Sequence, residues 1–265
     1  MLLTLSAKSF AGQLAGGEAD DLTLADLPAI ARDEFGLQGL TIQTELLSGW
    51  TAPQVDRLRD AADKQGCPCL LLVESADQPL GHEESDKVDA ALERMSRVVR
   101  VASRLGCSAV AMPVERLQDD DDNRDEVAAR VRQVLSHAER LEVNVLISPD
   151  CDGVGLTGSP ESLTALIRKV GGFRVGSFPD LGTASRMPDP VAYLKSIVPY
   201  ASALVLPAGD EQSDAIDHAA CFEALRTVGF SANLTLEWRG GPDAVAGLEH
   251  LRAIVDEQLS QEAAE

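Results

Sequence analysis

The stretch "VNVLISPDCDGVGLTGSPESLTALIRKVGGFRVGSFPD", Val143 to Asp180, contains one complete structural unit. Val143–Ser148 is a short run, apolar on nearly consecutive positions, which suits a strand buried on both faces. Ser159 followed by Pro160 reads as a helix start, a capping hydroxyl and then proline in the first turn. A helical pattern over Pro160–Val170 comes next, and a second apolar run, Arg174–Phe178, leads to a carboxylate at Asp180. A strand, a helix and a second strand in so short a span call for a crossover connection and a parallel sheet.

The same unit recurs along the chain. The other apolar runs are Leu2–Ser6, Gly39–Thr44, Cys69–Glu74, Ala109–Val114, Ala203–Leu206 and Leu234–Glu237. Helical patterns fall between and after them, at Leu24–Phe35, Pro53–Gln65, Glu83–Leu105, Asp125–Leu141, Pro188–Val198, His218–Val228 and Asp243–Leu259. In the third of all these helices Val88, Leu92, Met95, Val99 and Ala102 form one apolar stripe at steps of four and three. Gly36, Gly66, Gly106 and Gly229 stand just past helix ends, where a left-handed residue is wanted. Eight strands, each followed by a helix, predict an α/β fold of (β/α)8 TIM-barrel type, a single domain over 1–259 with a frayed acidic tail at 260–265. A doubly wound open sheet is the alternative, but no GxGxxG or GxxxxGK[ST] follows any strand to support it.

Composition narrows the function classes. The formal net charge is −20, which disfavours nucleic-acid backbones and suits a soluble, acidic surface. No apolar run is long enough for a membrane span, and "MLLTLSAKSF" lacks the basic start of a signal peptide, so a cytoplasmic location is expected. The five cysteines (Cys67, Cys69, Cys107, Cys151 and Cys221) suggest no disulfide framework, and the Cys67–Cys69 pair without a matching Cys/His pair reads as buried apolar material. The acidic run Asp119–Asp122 is read as a solvated loop after the fourth strand.

In a barrel of this kind the site is built at the C-terminal ends of the strands. Those ends carry Lys8, Gln43, Glu45, Glu74, Glu115, Arg116, Ser148, Asp150, Asp152, Asp180, Asp210, Glu237 and Arg239. The rim is strongly acidic, and clustered carboxylates suit Mg²⁺ or Mn²⁺. No GxSxG elbow supports a serine nucleophile. Aspartates around Cys151 disfavour its thiolate. Of the four histidines only His82, in the loop after the third strand, stands near enough to reach a strand-end pocket; His137, His218 and His250 lie on helices.

Three segments carry a resemblance. "LISPDCDGVGLTGSPESL" (146–163), "VGSFPDLGTA" (175–184) and "LTLEWRGG" (234–241) resemble the strand-five, strand-six and strand-eight motifs of the xylose isomerase-like TIM barrels, in particular the sugar phosphate isomerase/epimerase superfamily. "AIDHAACFEALRTVGF" (215–230) is similar to that family's last helix before the closing strand. The resemblance implies one divalent metal (Mn, Mg, Co or Zn) held by a glutamate, an aspartate, a histidine and a glutamate on strands five to eight, and carbohydrate chemistry by proton transfer between neighbouring carbons. On this chain it makes Asp180 and Glu237 metal ligands, Glu237 also the catalytic proton shuttle, and Glu74 and Arg239 substrate contacts by position. The activity implied is that of an isomerase or epimerase on a small sugar or hydroxycarbonyl compound. The other two ligands are missing. Ser148 stands for the strand-five glutamate, and Val205 and Pro207 stand where the strand-seven histidine would be; Thr183 takes the place of the histidine after the strand-six aspartate. Asp150, Asp152 or Asp210 could substitute. The alternative is a metal-free, non-catalytic barrel that binds a small polar ligand or partner, with Asp180 and Glu237 paired to a cation such as Arg239 or Lys8. The apurinic-endonuclease branch, which needs several histidines and a basic surface, does not fit. A small sugar-like molecule is therefore the expected partner, with no nucleic acid and no membrane; homo-oligomer formation stays open.

Overall fold

The computed structural model describes residues 1–14, 22–150, 155–211 and 213–262. Eight parallel strands form one sheet: β1 Leu2–Ser6, β2 Leu40–Gln43, β3 Cys69–Val73, β4 Ala109–Pro113, β5 Asn144–Ser148, β6 Val175–Ser177, β7 Ala203–Ala208 and β8 Asn233–Trp238. Their order is β6-β5-β4-β3-β2-β1-β8-β7, so the chain's first and last strands lie side by side. A helix follows each strand: α1 Leu27–Asp33, α2 Ala52–Gln65, α3 Ser85–Leu105, α4 Asp121–Glu139, α5 Pro160–Val170, α6 Pro190–Ile197, α7 His218–Thr227 and α8 Ala244–Glu262. The expected α/β barrel is the observed one. Every predicted strand is present, with ends displaced by at most two residues.

The local signals act as read. Ser159 Oγ accepts from the Ser162 N–H at 3.1 Å, with Pro160 in the first turn of α5. Gly66 and Gly106 close α2 and α3 at φ 63° and 85°. The acidic run is corrected in part: it is solvent-facing and Asp119 stays in the loop, but Asp120–Asp122 cap and begin α4. Asp120 caps the helix, accepting from the Asn123 N–H at 2.8 Å, and Asp121 and Asp122 fill the first turn. Carboxylates are favoured there because the helix N-terminus carries unpaired N–H groups and a partial positive charge. The helix α8 runs through Glu262, so the tail expected to fray from 260 begins inside a helix, and 263–265 lie outside the described residues.

Strand alternation sorts the side chains into two layers. Leu3 and Leu5, Leu40 and Ile42, Val110 and Met112, Val145 and Ile147, and Leu204 and Leu206 pack outward against the helices. Inward, one half of the barrel is apolar: Leu71, Ala109, Ala111, Leu146, Phe178, Ala203 and Val205 form their own buried cluster. The other half, on β1, β2 and β8, is polar. Thr4, Thr41 and Thr235 are fully or almost fully buried, and their hydroxyls bond to one another, Thr4 to Thr235 and Thr41 to Thr235 both at 3.0 Å. The polar half points toward the strand ends that build the site.

The barrel closes between β6 and β7, through two isolated parallel bridges, Ser177 to Ala201 and Asp180 to Val205. Gly176 allows that approach. A Cβ at this position would stand 2.3 Å from the Tyr200 carbonyl oxygen. Gly176→Ala is expected to lose roughly 1–3 kcal/mol of stability by overpacking the seam, measured by urea denaturation; an unchanged midpoint would show that the seam yields freely. The thiols of Cys67, Cys69, Cys107 and Cys221 are all buried. Burial pushes Cys67 and Cys221 up to about 11 and Cys69 to about 12. In the native state these four are expected not to react with a chromogenic thiol reagent, and titration of more than one of the five thiols before unfolding would refute their burial.

Candidate functional site

The strand ends surround a cavity of about 500 Å³. Its apolar wall includes Val73, Val114, Phe178 and Val205; its polar wall includes Gln43, Glu74, Asp180, Glu237 and Arg239, with Lys8 and Ser148 at the edge. Carboxylates from three consecutive strand ends meet on one guanidinium. Arg239, just past β8, donates through Nε to Glu237 Oε1 at 2.8 Å and through Nη2 to Asp180 Oδ2. Its Nη1 stands 3.6 Å from Asp210 Oδ2. The backbone N–H of Arg239 donates to the Ala208 carbonyl at 2.8 Å, which fixes the base of the side chain against β7.

Each carboxylate is aimed by groups behind it. Asp180 Oδ1 accepts from the N–H groups of Gly182 and Thr183, at 2.7 and 3.1 Å, as the cap of the short helical turn Leu181–Ala184. Glu237 Oε2 accepts from Ser6 Oγ at 2.8 Å, and Ser6 Oγ accepts from Gln43 Nε2 at 2.8 Å. Asp210 accepts from the Ser213 N–H at 2.8 Å. Burial raises the Asp180 carboxyl above its ordinary value, with the Arg239 charge and backbone donors only partly offsetting it. Burial also pushes Asp210 upward, but Ser213 and Arg239 outweigh it and hold the carboxyl below its ordinary range. Burial lowers the Arg239 guanidinium, the charges of Asp180 and Glu237 more than offset this, and the group is held protonated.

The structure brings together Asp180, Glu237 and Arg239, as well as Asp210. Glu74 is 2% exposed and lines the cavity, but both of its oxygens are engaged: Oε2 accepts from Arg94 Nε at 2.7 Å and Oε1 from the Ala76 N–H at 3.1 Å. Asp150 lies 3.8 Å from Arg116 in an ion pair. Asp152 and Cys151 lie outside the described residues. His82 is not among the lining residues; it sits with Lys87 and the Glu84 N–H on the outer loop. Ser6 is a residue that reasoning from the sequence missed as part of the site, although it alternates with Thr4 on β1 as Gln43 does with Thr41 on β2.

This arrangement does not fit a divalent metal. A metal held by Asp180 and Glu237 needs a carboxylate oxygen of each, and Arg239 occupies one on each while backbone N–H groups and Ser6 take the other. The strand-five and strand-seven positions offer Ser148 and Val205. Among the described residues no three His, Cys, Asp or Glu side chains are grouped so as to hold a metal ion.

The family model described as xylose isomerase-like TIM barrel matches residues 31–254, and the chain belongs to that family. Solved structures agree in fold. An L-ribulose 3-epimerase superposes with a TM-score of 0.84 at 15% identity, covering 98% of this chain and 95% of that one. A D-psicose 3-epimerase from Clostridium cellulolyticum H10, solved with D-tagatose, gives 0.78 at 15% identity, with 98% and 99% covered. A probable 3-DHS dehydratase from Bacillus anthracis gives 0.76 at 13% identity, with 97% and 99% covered. No curated protein matches the chain. Among the described residues no helix is long and apolar enough to cross a membrane.

Ser6 is fully buried and holds both Gln43 and Glu237. Ser6→Ala is expected to cost about 1–3 kcal/mol, because it strands a buried amide and one oxygen of a carboxylate. Chemical denaturation reads the loss; a variant as stable as the parent would mean that the relay carries no energy.

Proposed function

We propose that the strand-end cavity binds a small sugar or a related hydroxycarbonyl compound, so that this family member is sugar isomerase/epimerase-like in the class of molecule it handles. The observation that carries the reading is the pairing of an apolar wall with a charged, hydrogen-bonding one across a cavity of about 500 Å³, a size within the range of small-molecule sites, about 300–1,000 Å³. A sugar has the matching surface: C–H faces that lie on apolar side chains and a rim of hydroxyls that donate and accept. Phe178 supplies a ring for the first. Arg239 Nη1 is a donor for a carbonyl or hydroxyl oxygen, and Glu74 keeps acceptor capacity beyond its two existing hydrogen bonds. The sugar epimerases among the structural neighbours support the same ligand class.

A second reading, metal-assisted proton transfer with Asp180 and Glu237 as ligands and Glu237 as the shuttle, is favoured by one observation: three carboxylates converge on one cation. It requires Arg239 to leave. Mn²⁺ binding by the unaltered chain that Asp180→Asn abolishes would favour it.

The ligand reading is tested by calorimetry or saturation-transfer NMR with a panel of aldoses, ketoses and short hydroxyaldehydes. At least one is expected to bind. Phe178→Leu, which keeps an apolar side chain but removes the ring face, is expected to weaken that ligand about tenfold, or roughly 1.4 kcal/mol, in a chain that remains folded by circular dichroism at the temperature of the measurement. A panel without a single binder would sink the reading.

A further inference from the structure

Three of the strand-end carboxylates already face one cation. The carboxylates of Asp180, Asp210 and Glu237 come from the ends of β6, β7 and β8, and the guanidinium of Arg239 lies between them. The side chain of Arg239 is 22% exposed, that of Asp180 20% and that of Glu237 6%, so the charges are largely screened from water and cannot be left uncompensated. Lys8, a second cation lining the cavity, is exposed, and no ion pair among the described residues ties it to the three acids.

We propose that Arg239 is the resident cation of this site, standing in the place of a divalent metal and keeping a carboxylate cage closed to it. Three observations carry the inference. The guanidinium engages one oxygen of each retained carboxylate, and a metal would have to displace it from both. The second oxygen of each is fixed by other donors, the Gly182 and Thr183 N–H groups for Asp180 and Ser6 Oγ for Glu237, so neither carboxylate is free to turn and serve two cations. The Arg239 fork also holds the acids apart, and no group of three ligands forms among the described residues. The planar fork of arginine suits two separated carboxylates, whereas Mg²⁺ or Mn²⁺ draws its oxygens onto one centre at about 2.0–2.2 Å. The inference does not depend on which ligand the cavity takes.

Mn²⁺ binding by the full chain, followed by electron paramagnetic resonance, tests it without any assay of activity. The unaltered chain is expected to bind no more Mn²⁺ than Asp180→Asn does. Arg239→Ala is expected to bind a single Mn²⁺ at least about tenfold more tightly than the parent, and the double variant Arg239→Ala/Asp180→Asn is expected to lose it again. Asp180-dependent Mn²⁺ binding with Arg239 in place would overturn the proposal, and so would an Arg239→Ala chain that folds, by circular dichroism, and binds none. If Arg239→Ala does not fold, the comparison of the unaltered chain with Asp180→Asn decides the matter alone. Failure of every sugar to bind would leave these metal measurements untouched.

Discussion

The interaction on which the strand ends depend is the Arg239 guanidinium between Asp180 and Glu237. It spans the weakest line in the barrel. β6 has only three residues and shares no continuous ladder with β7, and the seam is crossed by two isolated bridges. Arg239 reaches from β8, past β7, to the carboxylate at the end of β6. Buried ion pairs stabilise only when their remaining hydrogen-bonding capacity is met, because the desolvation cost otherwise exceeds the attraction. Here both oxygens of Asp180 and both of Glu237 have donors. The clamp that closes the barrel is the same group that defines the polar wall of the cavity.

The barrel was legible because its signals are local. Apolar runs, a capping serine before a proline, and glycines after helices each depend on neighbours in sequence. The site was legible only as a list of addresses. Asp180, Glu237 and Arg239 could each be placed at a strand end, but the Asp180–Arg239 contact joins residues 59 apart and exists only once β6 and β7 close. Ser6 and Gln43 carried a usable signal, since Thr4/Ser6, Thr41/Gln43 and Thr235/Glu237 alternate with leucine and isoleucine on β1, β2 and β8. Read as simple apolar runs, those strands hid a polar inner face. The acidic run at Asp119–Asp122 was misplaced for the opposite reason. Its charge rightly suggested solvent, but that signal hid the unpaired N–H groups of the helix start that Asp120–Asp122 serve.

Glu74 and Glu237 show how similar positions acquire different work. Both are buried glutamates at strand ends, 2% and 5% exposed. Glu74, in the cavity wall, is tied to Arg94, whose side chain is 44% exposed, so the pair runs from the cavity to the surface. Glu237 is tied to Arg239 and Ser6 within the barrel mouth. The first pins a loop to α3; the second belongs to a network that reaches from β1 to β6. A substitution at Glu74 therefore acts on the cavity's outer lip, and one at Glu237 on its floor.

A guanidinium and a divalent ion offer different chemistry to a bound sugar. The ion has exchangeable coordination positions and a concentrated charge that lowers the pKa of a coordinated hydroxyl and stabilises an enediolate. Arg239 has a single charge spread over three nitrogens, each of which faces a carboxylate; Nη1, 3.6 Å from Asp210, is the most loosely held and offers the edge for a ligand. Three carboxylates against one guanidinium leave the wall anionic, which opposes a second negative charge on the substrate. Glu237 already accepts one hydrogen bond on each oxygen, from Ser6 and from Arg239, and both hold it in place. The arrangement is thus suited to holding and orienting a neutral polyhydroxylated molecule. To carry out proton transfer, the same residues would first have to exchange the cation they hold.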